Sequence, residues 1–113
     1  FSPSSKYGQD VTAQEKLIPI LTKYKVNLVL SARNKIFARF IPKFGPNTTS
    51  GTTFCIVGTA SDKYDGSGSP NGSNKIIVGK TGYLKVDIGS NMNCQFLTPT
   101  GQVLDQFTVF EWK

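Results

Sequence analysis

Apolar residues recur at Leu17, Ile20, Leu21 and Tyr24, the i, i+3, i+4, i+7 spacing that lines one face of a helix. The helix this predicts opens on a capping box, Thr12-Ala13-Gln14-Glu15, in which Thr12 accepts from the Glu15 amide and Glu15 reaches back to Thr12. Pro19 removes one hydrogen bond inside it, and Lys23 and Lys25 suit its negative end. The pattern then changes. Val26 to Ser31 is a near-continuous β-branched and leucine run, which predicts a strand covered on both faces. Ile36 to Ile41 reads as a short strand or an extended link, and Thr52 to Thr59 as a strand. Short strands follow at Lys75–Val78, Tyr83–Ile88, Asn93–Leu97 and Val103–Phe110, punctuated by Gly79–Gly82, Gly89–Asn91 and Pro99–Gly101. This half predicts an antiparallel meander. Phe1–Asp10 and Pro42–Gly51 read as loops, and the low-complexity segment 60–74 as a flexible one.

At 113 residues the chain makes one domain, 1–113, with a modest core. No apolar run approaches the roughly 18 residues that cross a bilayer. It opens on Phe1 with neither an initiator Met nor a signal-like start, so the expectation is a processed or truncated product. The net charge is +6, and its distribution says more than its size. No acid lies between Glu15 and Asp62, while Lys16, Lys23, Lys25, Arg33, Lys35, Arg39 and Lys43 do. Such a stripe suits a polyanion. About half of its lysines belong to a helix face where solvation explains them, and no nucleic-acid-binding motif accompanies it.

The segment LIPILTKYKVNLVLSARNKIFARF, Leu17 to Phe40, resembles the last motif of metallophosphoesterases of the calcineurin-like, purple acid phosphatase type. That motif reads LxPLLxKYxVDLVLSGHxHxYER. Phe1-Ser2-Pro3-Ser4-Ser5 resembles the tail of the family's HHxPxYSS loop, and Gly51–Ala60 its GTVYIVTGAAG strand. Gly82–Val86 and Gly101–Val109 resemble its closing GYxxLTV and GKVLDSFTI strands. The resemblance implies an α/β fold: a partial metallophosphoesterase-like β-sandwich with one N-terminal helix, a buried strand and the C-terminal meander. It implies the C-terminal third to half of such a domain. The piece would expose sheet edges and an apolar face, to be covered by a second chain from the same precursor or by self-association.

Enzymes of that family use two metal ions, with two histidine ligands in the turn after the strand. Arg33 and Lys35 occupy those places here, and the chain contains no histidine. Asn34 and Asp10 alone would not hold a transition metal, and nucleophilic catalysis lacks its imidazole base. A Ser31–Lys35 pair has no specific spacing. The expectation is therefore no cofactor and no catalysis by this chain alone. Arg33, Asn34, Lys35 and Arg39 are candidates for pairing with carboxylates or binding an anion such as phosphate, against simple drift of a disused site. Arg39 also has a stem suited to packing over a sheet.

Cys55 and Cys94 fall in separate strands, either as a disulfide or as two buried thiols. Asn47 and Asn71 head glycosylation sequons in loops. With the resemblance to a largely secreted family, these favour an extracytoplasmic location. Trp112 is a candidate interface anchor. The function this adds up to is a non-catalytic, phosphatase-derived extracellular module with a structural or interaction role. The alternatives are the C-terminal chain of an acid phosphatase whose metal ligands lie in a missing part, and a polyanion- or phosphate-binding module.

Overall fold

The computed structural model describes residues 11–32, 35–40, 51–59 and 75–111. Among them are one helix, α1 (Val11–Lys23), and strands β1 (Leu28–Ser31), β2 (Phe37–Phe40), β3 (Thr53–Val57), β4 (Lys75–Ile77), β5 (Tyr83–Ile88), β6 (Met92–Leu97) and β7 (Val103–Val109). The fold is a small α/β arrangement of two sheets. The first has four strands in the order β1-β3-β2-β4, and the second three in the order β5-β6-β7. Within the first sheet β1 runs parallel to β3, and β2 is antiparallel to both β3 and β4. The second sheet is antiparallel throughout.

The three-stranded sheet follows its sequence pattern closely. Along β7, Asp105, Phe107 and Val109 are buried and Gln106 and Thr108 exposed, the period-2 signature of a sheet with one wet face. The predicted strand 75–78 is real but joins the other sheet as β4, so the meander has one strand fewer than expected. Gly82, entering β5, sits where a Cβ would come within 2.6 Å of the Phe96 ring. Its amide donates to the Thr59 carbonyl at 3.0 Å and so ties the two sheets together.

Two expectations are corrected, one in the first sheet and one in the helix. Double-sided burial belongs to the sheet's inner strands, not to the strand after the helix. Phe37 and Cys55 face a core shared with the second sheet, made with Cys94, Phe96, Phe107 and Val109. Ala38, Phe40 and Ile56 are buried with Ile36 on the opposite face. β1 is instead an edge strand among the described residues, and Leu30 on it is 54% exposed. The apolar run predicted β structure correctly, but position in the sheet decided burial.

The second correction concerns α1. Leu17 (41%), Ile20 (53%) and Tyr24 (68%) are exposed, while Ile18 and Leu21 are half-buried. The face turned inward is thus displaced by about one residue from the predicted stripe. The helix also includes Val11, so Thr12 lies inside the first turn and not at the cap. Its other end is a Schellman turn: the Val26 amide donates to the Leu21 carbonyl at 2.9 Å and the Lys25 amide to that of Thr22 at 3.2 Å. Lys25 holds φ at 51°, a left-handed conformation that costs a residue with a Cβ about 1–2 kcal/mol. The loop 60–74 lies outside the described residues.

Lys25→Gly should stabilise the chain by about 1 kcal/mol, because glycine takes this conformation freely. Denaturant unfolding of the two proteins would check it, with an unchanged or lowered midpoint counting against the assignment.

Candidate functional site

Charged residues on the inward parity of a strand need a partner, and here two of opposite sign meet. Arg39 shares its face of β2 with Phe37, and Asp105 shares its face of β7 with Phe107 and Val109. Arg39 Nε donates to Asp105 Oδ2 at 2.7 Å and Nη2 to Oδ1 at 3.3 Å. The guanidinium carbon lies 5.3 Å from the centre of the Phe107 ring. Side-chain exposures are 16% for Arg39 and 6% for Asp105, so water screens the pair little. This is a fork-to-carboxylate contact, the strongest geometry open to such groups. It joins the two sheets across 66 residues of sequence.

The fork that Arg39 offers to an external carboxylate or phosphate is therefore directed at a carboxylate of its own chain. The signal was present in the sequence. FARF and VLDQFTV each place one charge among inward-facing apolar residues, with opposite signs. Neither strand alone reveals that the other stands opposite.

Lys35 is half-buried between β1 and β2 in the chain. Ser31 donates its hydroxyl to the Cys55 carbonyl at 3.4 Å. Arg33, Asn34, Asn47, Asn71 and Trp112 lie outside the described residues. Among the described residues no group of three or more His, Cys, Asp or Glu side chains is placed to hold a metal ion. No helix among them is long and apolar enough to cross a membrane.

Cys55 and Cys94 are free thiols, both buried in the core between the sheets. Burial pushes Cys55 up to about 12, with the neighbouring Cys94 adding to the effect and Arg39 opposing it. Cys94 is also raised, by burial first and then by Asp87. Sequence alone left disulfide and thiols open, and this structure holds thiols. Thr59 Oγ1 is the one buried side-chain polar atom among the described residues without a hydrogen-bond partner.

Over 97% of its length the chain is similar to the structure described as GAP50, the anchor in the inner membrane complex of Plasmodium, with a TM-score of 0.80. Sequence identity is 17%, so the likeness is one of fold. The chain spans about a third of that structure, 33% of its length. No family model and no curated protein matches the chain. The resemblance to metallophosphoesterases is corrected accordingly: no model of that family matches, and the structural likeness found is to an anchor protein. Short motifs in sheet strands share apolar spacing for reasons of packing alone.

Arg39→Ala should lower stability by about 3 kcal/mol or more, since it strands the buried Asp105 charge. The double variant Arg39→Met, Asp105→Leu should lose much less. Equal losses in urea unfolding would mean the pair adds only packing. A pH effect follows from Cys55. Its folded value lies above the ordinary 9.0, so the unfolded chain sheds this proton first. Stability from this group is then complete below about pH 9 and declines as pH rises toward 12. Thermal melts across that range should show a shallower alkaline decline in Cys55→Ala.

Proposed function

We propose that the chain is a non-catalytic structural module, completed by contact with further polypeptide, either a second chain or another copy of itself. The observation that carries this reading is the exposure of Leu17 and Ile20 along α1 and of Tyr24 just past its end, with Leu30 on β1, an edge strand among the described residues. Apolar stripes on a helix are ordinarily buried, and an open strand edge offers unpaired amides and carbonyls to another strand. A chain that spans a third of a structurally similar protein is consistent with surfaces made to be covered. The similar protein is described as an anchor, which supports a structural role by analogy of fold only.

The charge pattern fits the same reading. Arg39 is paired within the chain with Asp105, across the two sheets. An extracytoplasmic location belongs to the proposal and rests on the sequons at Asn47 and Asn71.

In isolation the uncovered stripe should drive chains together. Sedimentation velocity should show concentration-dependent association, and ANS fluorescence should rise on binding. The variant Leu17→Lys, Ile20→Lys should be monomeric and ANS-silent, with a melting temperature within a few degrees of the parent because both positions are exposed. A parent that stays monomeric and binds no ANS would show that the stripe needs no cover, and the reading would fail.

A further inference from the structure

Cys55 and Cys94 project from opposite sheets into one core, and both are fully buried. The cross-sheet contacts indicate how they are placed. Arg39 on β2 reaches over β7 to Asp105 and Phe107. Cys55 is the ladder partner of Arg39 on the adjacent β3, and Cys94 that of Phe107 on the adjacent β6. Moving one strand sideways in each sheet therefore leads from the Arg39–Phe107 contact to the two thiols. Phe37 and Phe96, two residues along β2 and β6, stack with centroids 4.3 Å apart and fix the spacing nearby. The effect of Cys94 on the ionisation of Cys55 agrees with proximity.

The geometry points to Cys55 and Cys94 as an oxidative modification site, closing to an inter-sheet disulfide when the chain folds with a small disulfide oxidant such as oxidised glutathione. One cysteine thiolate attacks the oxidant's S–S bond, forming a mixed disulfide and expelling one glutathione thiolate, which takes up a proton. The second cysteine thiolate attacks the protein sulfur of that mixed disulfide and expels the second glutathione. The protein loses two S–H bonds and gains one S–S bond, and the oxidant is reduced to two thiols. Burial keeps both thiols protonated and shielded once the core has closed. Exchange is therefore confined to folding or to opening of the sandwich. The bond would close a 39-residue separation (94 − 55) and add a covalent link to the Arg39–Asp105 ion pair, the Gly82–Thr59 hydrogen bond and the shared core between the sheets. A loop of this length gives a disulfide substantial leverage on the unfolded chain.

The full chain, reduced and denatured, is refolded at about pH 8 in a glutathione redox buffer or in dithiothreitol. In the redox buffer the expected product is a monomer lighter by about 2 Da, with a peptide map linking Cys55 to Cys94. Its melting temperature should exceed that of the dithiothreitol sample by about 10 °C. Cys55→Ala, Cys94→Ala should melt alike in the two buffers. Refolding in the redox buffer alone, with the link present, would also support the site. Two thiols still open to alkylation after denaturation of the redox-buffer product would overturn it, as would links only between chains. So would an oxidised monomer that melts at or below the reduced one.

Discussion

Arg39 and Asp105 place two opposite charges between two sheets that share a largely apolar core. Each would be costly to bury alone, and together they satisfy each other with two hydrogen bonds. An interior of aromatic and aliphatic side chains tolerates small slips between sheets, but a bidentate ion pair does not. It fixes where β2 crosses β7, and with it the Phe37–Phe96 stack and the placement of the two cysteines. The energetic worth of the pair lies less in its attraction than in the penalty for any arrangement that separates it.

Around that clamp the chain is unevenly covered. The inner strands of the four-stranded sheet are buried on both faces, whereas the three-stranded sheet turns a polar face outward through Lys85, Asp87, Asn93, Gln106 and Thr108. Toward β1 and α1 the protection fails, and apolar side chains meet solvent. Burial thus falls from the centre of the first sheet toward its edge among the described residues.

The metallophosphoesterase resemblance carries a physical lesson. Its longest element, Leu17 to Phe40, is a helix followed by an apolar strand, a combination that packing requires of many α/β chains. The comparisons bear out a shared fold with an anchor protein and do not bear out the family. Where motif matches coincide with hydrophobic periodicity they report architecture before chemistry.

Period-2 alternation by itself determined the meander of β5, β6 and β7, because a sheet with one wet face writes its inside and outside directly into successive residues. The same kind of local pattern determined that a helix precedes β1, and Lys23 marks its end. Burial of α1 and β1 was beyond its reach, since an apolar stripe states what could be covered and only the neighbouring layer states whether it is. The membership of β4 in the first sheet likewise depended on a partner, β2, far away along the chain. Arg39 and Asp105 were each legible as inward charges, but their pairing spans 66 residues. Only the tertiary structure could decide it, because the energy of an ion pair depends on a distance that no local pattern contains.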